Sequence, residues 1–88
     1  MTIEQRLKDL EIDLPVGTAP AANYANVVRT GNLLFLSGKA PLSEDGILPK
    51  GKLGREYSAQ DGYRFARSAG LDLLAVLAVE LGSLDRVA

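Results

Sequence analysis

The chain has no cysteine, no histidine and no tryptophan among its 88 residues. Without thiols or imidazoles it cannot build a zinc-finger cluster, a disulfide framework, a thiol nucleophile or a histidine base. Any chemistry is left to carboxylates, hydroxyls, amines, guanidinium groups and bound water. A surplus of positive charge is missing as well, since ten Lys and Arg face eleven Asp and Glu for a net charge of −1. A phosphate backbone or an anionic membrane is gripped through a basic field, so neither nucleic acid nor membrane is an expected partner. Long apolar runs are lacking too: the longest, Leu73 to Val79, falls far short of the ~20 residues that span a bilayer. The opening Thr2-Ile-Glu-Gln-Arg-Leu-Lys-Asp9 is too charged for a secretion signal. With 47% apolar and 24% charged residues, the chain is expected to be one small soluble, intracellular α+β domain.

What is present begins with Thr2-Ile3-Glu4-Gln5, the form of a capping box, in which the Thr hydroxyl accepts from a free amide and Gln5 reaches back to the cap. A short helical arm is expected over residues 1–14, with Ile3, Leu7 and Leu10 as its apolar stripe and Pro15 as its stop. Residues 15–23 hold two prolines and a glycine without apolar period, the pattern of an extended connection.

Residues 24–54 are read as a β-hairpin followed by a weak third strand. Tyr24 to Arg29 and Leu33 to Gly38 flank Thr30-Gly31-Asn32, a hairpin signal. With Gly31 and Asn32 as the loop, Thr30 faces Leu33, Val28 faces Phe35, Asn26 faces Ser37 and Tyr24 faces Lys39. One face then carries Tyr24, Asn26, Ser37 and Lys39 at its open end. The other carries Ala25, Val27, Leu34 and Leu36 and is expected to pack on helices. Asp45-Gly46 marks a further turn, and Lys50-Gly51-Lys52-Leu53-Gly54 is a glycine-broken stretch, either an edge strand or a solvated loop.

Ser58-Ala-Gln-Asp61 repeats the cap pattern. It introduces a helix over residues 58–81, about 36 Å long at the ~1.5 Å rise per residue, which Gly82 stops. Ala66, Ala69, Gly70, Leu73, Leu74, Leu77 and Leu81 share one face. Leu71, Ala75, Ala78 and Val79 lie on the far side beside Arg64, Ser68 and Asp72. A helix apolar nearly all round is expected to be covered on both flanks, more than one hairpin supplies. The final Leu84-Asp-Arg-Val-Ala88 has the look of an approach to another strand, and the chain is expected to be the N-terminal portion of a longer protein.

Ser37-Gly38 at the end of an apolar strand fits either a hydroxyl and amides aimed at a ligand or a strand terminus with a turn glycine. Tyr24, opening its strand, fits either a packing residue or a cleft acid. Glu44 and Asp45 are most simply turn residues.

The run Ala21-Ala-Asn-Tyr24-Ala-Asn-Val-Val-Arg-Thr-Gly31-Asn-Leu-Leu-Phe-Leu-Ser37-Gly38-Lys-Ala-Pro41-Leu42 resembles the opening hairpin of the Rid family of reactive-intermediate deaminases, also called the YjgF-like or L-PSP endoribonuclease family. The pattern combines a Tyr opening the first strand, a Gly-Asn-Leu turn, a second strand closing in Ser-Gly, and Pro-Leu shortly after. The long helix followed by Gly82-x-Leu84-Asp85-x-Val87 is also similar to that family. The resemblance implies a chorismate-mutase-like α+β fold, a sheet backed by helices and present here as one hairpin and one long helix. It also implies homotrimers with ligand clefts between subunits. It implies hydrolysis of enamine and 2-imino acid intermediates to 2-keto acids and ammonia, with no cofactor and no metal. By the same resemblance Tyr24 and Ser37 are catalytic, Gly38 and Lys39 line the substrate cleft, and the partner is a small imino or keto acid. Lys39 stands where the family commonly has glutamine. The family's carboxylate-gripping arginine, on a later strand, has no counterpart by motif in these residues. The rival expectations are a non-catalytic Rid-like module binding a small metabolite or a protein, and, third, an endoribonuclease.

Overall fold

The computed structural model describes residues 2–15, 25–43 and 47–88. Tyr24, the connection over residues 16–23 and the Glu44-Asp45-Gly46 turn lie outside the described residues. The elements, in chain order, are helix α1 (Ile3–Asp9), strands β1 (Val27–Thr30) and β2 (Leu33–Leu36), helix α2 (Ala59–Leu81) and a 3₁₀ turn (Leu84–Arg86). The arrangement is the α+β one expected from the sequence: a hairpin and helices.

The capping box at Thr2 forms as read. Its Oγ accepts from the Gln5 N–H at 3.1 Å, and Gln5 Oε1 accepts from the Thr2 N–H at 2.9 Å. The helix stops well before Pro15, however, which corrects the expected arm over residues 1–14. Glu11 turns to φ 56°, its N–H donates to Lys8 O and the next N–H, of Ile12, donates to Leu7 O. That pair of bonds is a Schellman stop, and it satisfies the last carbonyls before proline sterics come into play.

The hairpin has the expected register, with Val27 opposite Leu36, Val28 opposite Phe35, Arg29 opposite Leu34 and Thr30 opposite Leu33. Gly31 alone takes the left-handed conformation in the loop, at φ 59°, the requirement of the first central position in a type II′ turn. Val27, Leu34 and Leu36 are half-buried and line clefts shared with Val76, Leu77 and Leu81 of α2, so this is the helix-facing side. Val28, Leu33 and Phe35 stand on the opposite side, each more than half exposed.

The weak third strand does not form. Over residues 50–57 the chain closes into a compact turn, in which Lys52 O accepts from the N–H groups of Arg55, Glu56 and Tyr57 and Leu53 meets Tyr57 in a single bridge. Gly51 and Gly54 take φ of 151° and 84°, angles that break a continuous strand. The turn is pinned to α2 by the Tyr57 ring, which meets Phe65 edge-on at 4.8 Å.

Helix α2 starts at Ser58, whose Oγ accepts from the Asp61 N–H while Asp61 Oδ2 accepts from the Ser58 N–H. It ends at Gly82, left-handed at φ 78°. Its most buried flank is Asp72, Ala75 and Val76, whereas Ala66 and Leu74 are exposed. The sequence reading placed Asp72 and Ala75 on the far side, and the structure rotates that assignment. The reason is tertiary: Ser68, one turn before Asp72, receives the Leu42 N–H on its Oγ at 2.9 Å, so the segment after β2 runs along this flank. The final residues, expected to approach a strand, first make the 3₁₀ turn, and Val87 is extended after it. No helix among the described residues is long and apolar enough to cross a membrane.

Candidate functional site

The open end of the hairpin gathers the residues singled out in sequence. Because Asn26 and Ser37 continue the register, the Ser37 N–H donates to Asn26 O at 3.0 Å. The Ser37 hydroxyl donates to the Ala25 carbonyl, which leaves its lone pairs to accept from a ligand. Two residues on, Lys39 points along the same face and its Nζ donates to Asn26 Oδ1 at 2.8 Å, partly buried. Gly38 between them is exposed, and nothing approaches within 4 Å of where a β-carbon would stand, so its backbone is open to a small molecule. The structure thus brings Ser37, Gly38 and Lys39 together around Asn26. Tyr24, the remaining residue of the expected set, lies outside the described residues.

Asn26 and Glu80 are the residues that sequence reasoning passed over as site groups. The Asn26 amide orients the Lys39 ammonium, and the same residue lines a cavity of about 230 Å³ with Val27, Val76, Val79 and Glu80. The register already put Asn26 on the Ser37 face, so its role was open to inference. Glu80 gave no signal, because its position depends on how α2 crosses the hairpin.

The arrangement is one of fixed donors and acceptors. The lysine offers positive charge, the serine an acceptor oxygen, and Gly38 a bare stretch of backbone. No imidazole or thiol exists in the chain to take the Ser37 proton, so the hydroxyl is poorly placed for nucleophilic attack. Among the described residues no cluster of acidic side chains could hold a metal ion. A larger cleft, about 540 Å³, opens on the helix-facing side of the hairpin between Leu34, Leu36, Leu77 and Leu81, with Arg29 and Arg86 on its rim. Each arginine is anchored to a backbone carbonyl, Arg29 Nε to Gly31 O and Arg86 Nη1 to Leu81 O.

No protein-family model matches the chain, and none of the curated proteins does. Solved structures do. One is a protein from Shewanella oneidensis MR-1 described as a "putative endoribonuclease", similar at a TM-score of 0.87 and 34% identity over 98% of this chain and 57% of that one. Another is a protein of unknown function from Agrobacterium tumefaciens, at a TM-score of 0.75 and 36% identity over 96% of this chain and 51% of that one. The likeness to the first supports the Rid-like α+β fold over nearly the whole chain. The chain spans a little over half the length of either protein.

Proposed function

We propose that the chain is part of a Rid-like protein that binds small 2-imino and 2-keto acids at the open end of its hairpin, and that the complete site hydrolyses the imine. The observation that carries this reading is the Asn26, Ser37 and Lys39 arrangement, held in the hairpin register expected from the sequence. The likeness to the Shewanella protein supports it. In the reaction, water oxygen bonds to the imine carbon, the C–N bond breaks, and nitrogen leaves as ammonia. A 2-imino acid carries an N–H donor and a carboxylate. Ser37 Oγ, its own proton committed to Ala25, accepts from the N–H; the Lys39 ammonium, steadied by Asn26, faces the carboxylate. A single ammonium is a weaker and less directional grip than a guanidinium fork. By the family resemblance that fork comes from an arginine outside these residues, so the 88-residue chain binds without turnover. Cytoplasmic location and homotrimeric assembly belong to the same proposal, the latter supported by the exposed apolar outer face of Val28, Leu33 and Phe35.

The test is a titration with 2-oxobutyrate followed by amide NMR. The Ser37, Gly38 and Lys39 signals are expected to shift, and Lys39→Ala is expected to weaken binding, whereas Ser37→Ala, whose oxygen has no N–H to accept from in a ketone, is expected to change it little. Unmoved signals, or full binding by the double variant, would overturn the reading. Imine hydrolysis above the spontaneous rate by this chain alone would overturn the assignment of the carboxylate grip to an arginine elsewhere.

A second reading, a non-catalytic binding module, is favoured by one observation: the Ser37 hydroxyl donates to a carbonyl and the chain has no imidazole to deprotonate it. Binding without turnover by the protein isolated from its own cells would select it. Ribonuclease activity, suggested by the description of the Shewanella protein, meets a net charge of −1. RNA affinity falling steeply with salt, the mark of several phosphate contacts, would favour it.

A further inference from the structure

Helix α1 is fastened to the far end of the chain by two carboxylates. Glu4 Oε1 accepts from the Leu84 N–H at 2.7 Å and from the Ser83 hydroxyl at 3.0 Å. In return, Asp85 Oδ1 accepts from the Ile3 N–H at 2.7 Å. Each element's acid therefore caps the exposed first amide of the other, a reciprocal arrangement across about eighty residues of sequence. We infer that α1 is a carboxylate-latched arm: Glu4 and Asp85 hold it on the 3₁₀ turn, and protonation of Glu4 loosens it.

Little else holds α1 in place. It buries no residue of its own, and Ile3 and Leu10 are 39% and 50% exposed. A helix of seven residues is far below the length that persists alone in water, so detachment also unwinds it. The charged groups on the elements that meet here are Glu4, Arg6, Lys8 and Asp9 on α1, Asp85 and Arg86 on the 3₁₀ turn, and Glu80 at the end of α2. Arg86 turns its guanidinium to Leu81 O, and no ion pair among the described residues joins α1 to the turn. The latch is therefore made of carboxylate-to-amide bonds, which are roughly twice as strong to an ionised acceptor as to a neutral one. The Leu84 N–H, chiefly, with α1's own backbone and the Ser83 hydroxyl, holds the Glu4 carboxyl below its usual value. A depressed value means that the contribution is present above the ordinary glutamate range and is lost as the pH falls through the folded value. Release uncovers one side of Leu84, only 3% exposed in the latched state, and frees the turn that follows α2.

NMR of the 88-residue chain between pH 7 and 2.5 tests this locally. The Leu84 N–H signal is expected to titrate with the Glu4 carboxyl carbon, at a common midpoint below that of an ordinary glutamate. At pH 7, Asp85→Ala, which takes the acceptor from the Ile3 N–H, is expected to raise amide exchange over residues 6–10 on the order of fivefold, the usual effect of losing a helix cap, with the α2 amides unchanged. An ordinary Glu4 midpoint with an unmoved Leu84 signal would overturn the latch, as would unchanged exchange in the Glu4→Ala, Asp85→Ala pair. Should the alanine variants open α2 as well, Glu4→Gln keeps an acceptor oxygen without the charge. It must fold and lose the pH step at Leu84, and a persisting step refutes the inference.

Discussion

Two glycines, at the middle and at the end of α2, are expected to respond in opposite directions to the same substitution. Gly70 lies inside the helix, half-buried, and an added β-carbon there meets nothing within 4 Å. Only backbone freedom changes at this position, and alanine is favoured over glycine in a helix interior by about 1 kcal/mol. Gly82 also has open space around it, but its φ is 78°, where an L-residue is strained by about 1 kcal/mol or more. For a domain of this size about 1 kcal/mol moves the melting midpoint by roughly 4–8 °C. Gly70→Ala is therefore expected to raise the midpoint by about that much and Gly82→Ala to lower it, followed by far-UV circular dichroism at low protein concentration. A fall on Gly70→Ala would refute the reasoning, because it would mean that something packs against the missing β-carbon. If that fall deepened at higher protein concentration, the packing element would be a second copy.

Two further outcomes follow from the same structure. The carboxyls of Glu4, Glu56 and Asp61 are held low, by the Leu84 N–H, by the Arg55 guanidinium and by the Ser58 N–H respectively, Glu56 falling to about 2. Each depressed acid stabilises the fold above its ordinary value and ceases to do so as protons bind, so the melting midpoint is expected to decline from about pH 4.5 down to about 2. A midpoint flat across that window would refute these pairings. Second, the apolar residues fully covered among the described ones are Ala75, Val76 and Leu84, a small core for a chain that must offset its own conformational entropy. Association is expected to supply the difference, so the midpoint should climb with protein concentration, and a constant midpoint from micromolar to millimolar chain would contradict this.

What could be read from the amino acids alone was whatever is decided within a few residues. Both capping boxes need only a hydroxyl and an acid or amide three positions on, and Thr2 with Gln5 and Ser58 with Asp61 form as the spacing dictates. The hairpin register follows from where Gly31 must sit, and the half-buried set Val27, Leu34 and Leu36 follows from strand alternation. Features decided at long range were illegible. Nothing near Glu11 announces that a glutamate will turn left-handed to close α1. The covered flank of α2 is centred on Asp72, a carboxylate that hydropathy assigns to solvent, because the choice of flank is made by the chain after β2. The Glu4 and Asp85 bonds join the two ends of the sequence, beyond any local pattern.

The candidate site divides along the same line, and the division bears on what the site can do. Ser37, Gly38 and Lys39 are successive residues leaving one strand, so their grouping was fixed once the register was known. What the strand pattern left open is where the hydrogens go. The Ser37 hydroxyl is turned to the Ala25 carbonyl and the Lys39 ammonium to the Asn26 amide, which makes the serine an acceptor and the lysine a steadied charge. A ligand suited to those two groups offers an N–H at one end and a carboxylate at the other, and a 2-imino acid does both, whereas its 2-keto product has lost the N–H. On the proposed function the site should therefore hold a 2-imino acid more tightly than the corresponding 2-keto acid. An arrangement that favours the substrate in this way slows no product release, but it supplies nothing that is stronger in the transition state. That is the physical reason to expect binding rather than rate acceleration from these residues.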